Sequence, residues 1–274
     1  MSGKSVEFSG DIPRNYDEGM GPVIFAGYAA DMARRVVSGG TVSRLLETAA
    51  GSGIVTRAMR DALLGGAHLT ATDLNAGMLD VARSKFRAGE DVEFQVADAT
   101  DLPFPDGSFD TVVCQFGVMF YPDKDKGFRE AYRVLATSGR YLFSVWDAHR
   151  HNPYAQIAHE VIGSFFPADP PRFFEMPFAY HKIDPIKDAL LAAGFAEIKV
   201  SVDRRQQTVA DFSTFARGIV FGSPVFGQIQ ERGTVAPSVI QDAIAAAMRR
   251  EFGGQPGVVA MQAIVFEARE ARKP

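Results

Sequence analysis

Two carboxylates and the small residues between them are the part of this chain best suited to chemistry. Glu47 ends a short apolar run, and Ala49, Ala50, Gly51, Ser52 and Gly53 follow it. Asp73 ends the next apolar run, 22 residues after Gly51. Gly51 and Gly53 let a ligand approach the backbone closely. A helix starting at that point presents free backbone N–H groups and a positive dipole end. A mononucleotide, a dinucleotide or a carboxylate would suit those features alone.

The acids narrow the choice. The dinucleotide fingerprint needs a third glycine, and counting from Gly51 that position holds Thr56. Glu47 beside a diphosphate would repel it, whereas a cationic ligand would be attracted. Asp73, at the end of the second strand, can accept hydrogen bonds from two ribose hydroxyls. A ribose joined to a cationic amino-acid group describes S-adenosylmethionine (SAM) better than NAD.

The elements that must hold these residues follow from the pattern. Helix is predicted from Pro22 to Gly39, after a loosely ordered polar arm over residues 1–20. Strands are predicted at 43–47, 68–73, 91–96, 109–115, 141–146, 197–202 and 258–267. Helices fall between them at about 53–64, 75–88 (with Asn75 as cap), 125–136, 154–165 and 183–193, and within 209–252 apart from a break at 222–227. The continuous apolar run at 109–115 suits a central parallel strand buried on both faces. The alternation predicts an α/β fold: a Rossmann-like, doubly wound, mostly parallel seven-stranded sheet with helical lid insertions.

In motif order and spacing the chain resembles the class I SAM-dependent methyltransferases, in particular the subgroup that includes ubiquinone and menaquinone biosynthesis methyltransferases. E-T-A-A-G-S-G at 47–53 resembles the first motif and A-T-D-L-N at 71–75 the second. V-A-D-A-T-D-L-P-F-P-D-G-S-F-D-T-V-V-C-Q-F-G at 96–117 resembles the third and fourth, and A-Y-R-V-L-A-T-S-G-R-Y-L-F-S-V at 131–145 the following helix and strand. The likeness is strong over 40–147 and weaker outside it. Ala49 departs from the pattern, standing where the family usually has its first glycine. The resemblance implies one domain over 1–274. Its arm and lid helix span 1–40, its SAM-binding core 41–147, its substrate-side insertions 148–183 and 209–254, and its last strand 257–267.

The resemblance also implies roles. Glu47 would bind the SAM ammonium, while Ala49, Gly51 and Gly53 line the methionine part. Asp73 would hold the ribose hydroxyls. Leu74 and Met78 would pack on adenine, Asp98 would accept its amino hydrogen, and Ala99 would add backbone contacts. Gln115, Phe116 and Gly117 follow strand four at the ligand-binding edge, and Tyr16 would fold over from the arm. Some have a structural alternative: helix capping for Glu47 and Asp73, core packing for Leu74 and Met78, a surface or packing role for Tyr16. The catalytic residue stays unassigned. His149, His151 and His181 read as surface or structural, and His149 and His151 are too sparse for a metal site. No metal is expected.

Composition sets the remaining bounds. Apolar residues make up 46% of 274, enough for a sizeable core. With 29 basic and 33 acidic residues the net charge is −4, which argues against a nucleic-acid partner. Gln115-Phe116-Gly117 stands where DNA amino-methyltransferases carry a proline pair, and Asp169-Pro170-Pro171 is followed by Arg172. Cys114 is the only cysteine, so no internal disulfide forms. Without a signal core or an apolar run of membrane-spanning length, the expected location is cytoplasmic with no membrane span. Ten of 22 phenylalanines lie within 165–226, predicting either an apolar substrate pocket or a lid with its own core. The activity expected is methyl transfer to oxygen or carbon of a small apolar or aromatic acceptor. Its rivals are an NAD(P)-dependent oxidoreductase and a non-catalytic SAM-binding module. The partners expected are the acceptor and, as an option, a second copy in a homodimer.

Overall fold

The computed structural model describes residue 8, residues 10–63 and residues 65–270. Seven strands form one sheet in the order β3-β2-β1-β4-β5-β7-β6. They are β1 (Arg44–Glu47), β2 (His68–Asp73), β3 (Val92–Val96), β4 (Phe109–Gln115), β5 (Leu135–Trp146), β6 (Glu197–Val209) and β7 (Gly257–Arg269). β7 runs antiparallel to both its neighbours and the other pairings are parallel. This is the doubly wound, mostly parallel sheet the alternation predicts.

β1 and β4 sit at the centre because their middle residues are apolar. Leu45, Leu46, Val112, Val113 and Cys114 are fully buried, as a strand covered on both faces requires. The strand order reverses between β1 and β4, so the loops after these two strands diverge and leave a crevice at their carboxyl ends. α3 (Ile54–Ala62) and α4 (Ala76–Arg83) connect β1 to β2 and β2 to β3. The predicted end of the first of these, Leu64, lies outside the described residues, as do residues 1–7 of the predicted arm. α5 (Lys124–Val134) is capped by Asp123, whose carboxylate accepts from Lys126 N. α6 (Pro153–Phe165), α7 (Met176–Ala179) and α8 (Ile183–Ala193) follow β5, and α9 (Phe212–Phe221), α10 (Val225–Arg232) and α11 (Pro237–Phe252) lie between β6 and β7.

Three predictions are corrected. The chain turns helical at Ile12 rather than Pro22, through α1 (Ile12–Asn15), a π-helical segment (Tyr16–Phe25) and α2 (Ala26–Ser38). The π segment holds two glycines and Pro22 and lacks an apolar stripe, so it is fixed by close backbone contact instead. A Cβ added at Gly19 would lie 2.5 Å from Gly218 Cα in α9, and one at Gly222 would lie 2.5 Å from Tyr16 N. Without side chains at these points, α9 docks directly on the segment and holds Tyr16 over the crevice. β6 is longer than predicted: its polar stretch Arg204-Arg205-Gln206-Gln207 stays in register with β7. β5 also begins earlier, at Leu135, and accommodates Ser138 at φ 66° rather than turning there.

Candidate SAM site

Glu47 closes β1, and the chain turns at once through left-handed conformations at Ala49 (φ 53°), Gly51 (φ 56°) and Gly53 (φ 77°). The turn needs this because α3 must fold back along the sheet directly after the strand. The loop's amides are already engaged. Ala50 N donates to Thr72 O at 2.9 Å, Gly51 N to Asp73 Oδ2 at 2.9 Å and Gly53 N to Ala50 O at 3.1 Å. The expectation of free N–H groups at this loop is therefore corrected for these three residues. A phosphate cradle would need those donors.

Glu47 is 1% exposed and meets one donor: Thr56 Oγ1 hydrogen-bonds Oε2 at 2.6 Å. The residue that breaks the dinucleotide pattern is thus the one that orients this acid. Burial pushes the Glu47 carboxyl up to about 8, against the lowering from Thr56 and with a smaller push from the charge of Asp73. Asp73 is also buried, and its carboxyl is raised by burial although amide hydrogen bonds oppose the shift. Its Oδ2 accepts from Gly51 N, and its Oδ1 from Asn75 N at 2.8 Å and Asn75 Nδ2 at 3.3 Å. Asn75 makes no side-chain cap to α4; it is held by Asp73 instead. Among the described residues neither Glu47 nor Asp73 pairs with a lysine or arginine. Two buried acids without a cation form a site that a cationic ligand completes.

A cavity of about 690 Å³ opens over these acids. Twelve of the thirteen predicted residues line it: Tyr16, Glu47, Ala49, Gly51, Asp73, Leu74, Met78, Asp98, Ala99, Gln115, Phe116 and Gly117. Gly53 does not. A Cβ there would lie 2.7 Å from Ala82 Cβ, so this glycine serves the packing of α3 on α4. Asp98 is exposed, with Oδ1 accepting from Thr100 N and Oγ1, each at 2.8 Å. The side-chain oxygen of Gln115 is buried without a hydrogen-bond partner. Gly117 lets the loops after β1 and β4 meet: its added Cβ would lie 2.5 Å from Ala49 Cβ and 2.7 Å from Cys114 Sγ. Unpaired acids, a partnerless amide oxygen and internally bonded loop amides fit a cationic nucleoside with donor groups.

A second cavity of about 80 Å³ shares the walls Phe8, Tyr16, Phe25, Phe116, Met119 and Phe120 with the first. Its remaining lining is aromatic and apolar, including Trp146, Phe173, Phe174 and Phe178, with Tyr154 and Ser223. Phe116 has φ 57° and stacks flat on Trp146, ring centroids 3.8 Å apart and planes within 5°. The phenylalanine-rich stretch divides between this cavity and the core. Phe173, Phe174 and Phe178 line the cavity, while Phe195, Phe212 and Phe215 are fully buried in the core.

Residues 46–143 match the family model described as methyltransferase domain. The geometry of that segment and this match agree. The matched segment, 46–143, is a methyltransferase domain. The chain is 44% identical over 97 residues to a demethylmenaquinone methyltransferase of Clavibacter sepedonicus; the match takes in 35% of this chain and 38% of that protein. It thus spans less than two fifths of that relative's length. Among solved structures, phosphoethanolamine N-methyltransferase 2 of Haemonchus contortus, in complex with S-adenosyl-L-methionine, has a TM-score of 0.60 at 17% identity, covering 95% of this chain and 57% of that one. The cyclase SpnF has a TM-score of 0.59 at 16% identity, covering 98% and 100%. At such identities these likenesses concern the fold alone.

Several features of the methyltransferase domain's surroundings escape a motif reading. Phe8 and Phe25 reach the cavity from the N-terminal segment and Met176 from α7. Asp17 ties the π segment to the glycine loop, accepting from Ser52 Oγ at 2.7 Å and forming a short ion pair with Lys85. Its proximity to Tyr16 in sequence was the only available sign. Tyr121 joins β1 to β4, its hydroxyl 3.1 Å from Thr48 Oγ1 and 3.2 Å from Cys114 Sγ. The predicted histidines stay structural. His149 Nε2 lies 2.9 Å from Phe174 O and His181 Nδ1 2.8 Å from Phe178 O, and neither they nor His151 line either of these two cavities. No cluster able to hold a metal occurs among the described residues, and no helix among them is long and apolar enough to cross a membrane.

Proposed function

We propose that this chain transfers a methyl group from SAM to carbon or oxygen of a small aromatic acceptor, with a quinol-type ring as the leading class. One observation carries the reading: the cavity with two unpaired acids shares the walls Tyr16, Phe25 and Phe116 with an aromatic cavity that no acid lines. The name of the Clavibacter sepedonicus relative, a demethylmenaquinone methyltransferase, supports a quinone-type ring as the acceptor. In this reading 1–274 is one domain whose segments 148–183 and 209–254 stand on the substrate side.

Glu47 holds the ammonium of SAM, and Asp73 accepts from the ribose hydroxyls with lone pairs beyond those used by Gly51 and Asn75. Leu74 and Met78 pack on adenine, Asp98 and Ala99 meet its edge, and Ala49 and Gly51 line the methionine part. Gln115, Phe116 and Gly117 form the wall towards the acceptor, and Tyr16 closes it from the N-terminal segment. Gly53 shapes the turn. When bound, SAM supplies an electrophilic methyl carbon. The aromatic walls exclude water and hold an acceptor ring in line, so proximity supplies much of the rate. A base is needed only for a protonated nucleophile.

Calorimetry should detect SAM binding, and NADH at comparable concentration should not displace it. Displacement by NADH would restore the oxidoreductase reading, and absence of SAM binding would sink the proposal. A screen of quinols and phenols, read by mass spectrometry, should yield a methylated product. SAM binding without product from any of them would favour a non-catalytic module.

A further inference from the structure

The second cavity has a polar feature that its aromatic walls make conspicuous. Tyr154, in the first turn of α6, lines this cavity and not the first, and it is 2% exposed. Its hydroxyl has no hydrogen-bond partner among the described residues. Ser223 Oγ, on the same wall, is committed to Ile219 O at 2.7 Å. A hydroxyl that meets only an apolar-walled cavity gains from a ligand that offers it a hydrogen bond.

The placement of Tyr154 is rigid. Asn152, two residues earlier and fully buried, donates through Nδ2 to Asp147 O at 2.9 Å and to Gln262 O at 3.1 Å, and accepts from Gln262 N at 3.0 Å. Gln262 Nε2 in turn donates to Asp147 Oδ2 at 2.5 Å. This buried network pins the start of α6 to the end of β5 and to β7. The Tyr154 ring packs against Phe215 and Phe178, with centroids 5.7 and 6.4 Å away.

We infer that Tyr154 is a specificity residue that hydrogen-bonds an oxygen substituent on a single aromatic ring held in the second cavity. The assignment of that ring as the methyl acceptor rests on the function proposed above; the binding site itself does not. The volume, about 80 Å³, is roughly half that of an apolar cavity that takes benzene, so the ring reaches from the second cavity past the shared walls Tyr16, Phe25 and Phe116 into the first. A tyrosine hydroxyl both donates and accepts, so it serves a phenol, a quinol or a quinone carbonyl. Burial holds the Tyr154 hydroxyl well above its usual titration range, so it stays protonated and positions rather than abstracts a proton. Trp146, the only tryptophan of the chain, lines the same cavity and reports on its filling.

Titrating the whole chain with p-cresol and with toluene, read by Trp146 emission, tests this. Tyr154→Phe should weaken p-cresol roughly three- to tenfold, the effect of losing one neutral hydrogen bond, and leave toluene within about a factor of two. Tyr16→Phe serves as comparison, because Tyr16 is the other tyrosine that lines this cavity. Unchanged p-cresol binding in Tyr154→Phe would overturn the inference. So would equal weakening of both ligands, loss in Tyr16→Phe instead, or failure of either ligand to bind the wild type. SAM calorimetry on the same samples separates the two claims. Ordinary SAM binding with no Tyr154 dependence sinks the inference alone. Absent SAM binding with the Tyr154 dependence intact sinks the functional reading alone.

Discussion

Replacing Glu47 by glutamine removes a charge while keeping the shape and an acceptor for Thr56 Oγ1. The carboxyl is fully buried and shifted from its ordinary 4.5 to about 8. At about 1.36 kcal/mol per pH unit, that displacement corresponds to up to roughly 5 kcal/mol. The folded value lies above the unfolded one, so the contribution of neutral Glu47 is complete below about 4.5 and is lost as pH rises through about 8. Urea unfolding across this window should show the wild type losing stability relative to Glu47→Gln. The variant should gain on the wild type by up to roughly 5 kcal/mol near pH 8.5. Binding should move the other way. A cationic ligand favours the ionised form, so SAM affinity in the wild type should rise with pH by up to about tenfold per unit below 8, with proton release seen as buffer-dependent heat. In Glu47→Gln that pH dependence should vanish and affinity should fall. A stability difference that stays flat between about pH 5 and 8 would refute the raised carboxyl. Proton release persisting in the variant would refute its assignment to Glu47.

Asp73→Ala should weaken SAM binding by roughly 1–3 kcal/mol in calorimetry, from lost charged hydrogen bonds. Unchanged affinity would remove the ribose assignment. Gly117→Ala should destabilise the fold by about 1–3 kcal/mol in urea unfolding, because its methyl would meet Ala49 Cβ and Cys114 Sγ. Adding Ala49→Gly should recover part of that loss, since it removes one of the two contacts and relieves a left-handed alanine. Strict additivity would show that the two loops do not meet as described. Thr56→Val should raise the Glu47 carboxyl further and shift the pH profile of SAM binding upward; an unmoved profile would show that the hydroxyl does not stabilise the ionised acid.

What was legible in the sequence was local. β2, β4 and α8 match the predicted 68–73, 109–115 and 183–193, because each is a clear apolar pattern bounded by strong stop signals. The cavity lining was legible where motifs sit at strand ends, since a parallel sheet brings those ends together. The π segment was not, because its docking on α9 depends on glycine at Gly19 and Gly218, and an absent side chain leaves no periodicity to read. The role of Thr56 was hidden in the same way. Sequence marked it only as a missing glycine, and its contact with Glu47 needs the turn of α3 back onto β1. The true extent of β6 was masked by its arginines and glutamines, because pairing with a distant strand, not apolar alternation, sustains it.

The place of β7 in the sheet also bears on how the chain folds during synthesis. β6 pairs only with β7, and β7 also covers the β5 edge from Arg140 to Trp146. The SAM-side strands are all translated by residue 146, but their edge partner begins at residue 257. At about 5–20 residues per second, the ribosome needs roughly 6–22 s to cross that interval. Throughout it the nascent chain presents a long, mostly apolar strand edge with β6 unable to cap it. Such an edge is a template for pairing with other chains. Crowded expression should therefore aggregate this protein through β5 before release from the ribosome, and slower initiation or a nascent-chain chaperone should improve its yield more than any change made to the finished fold.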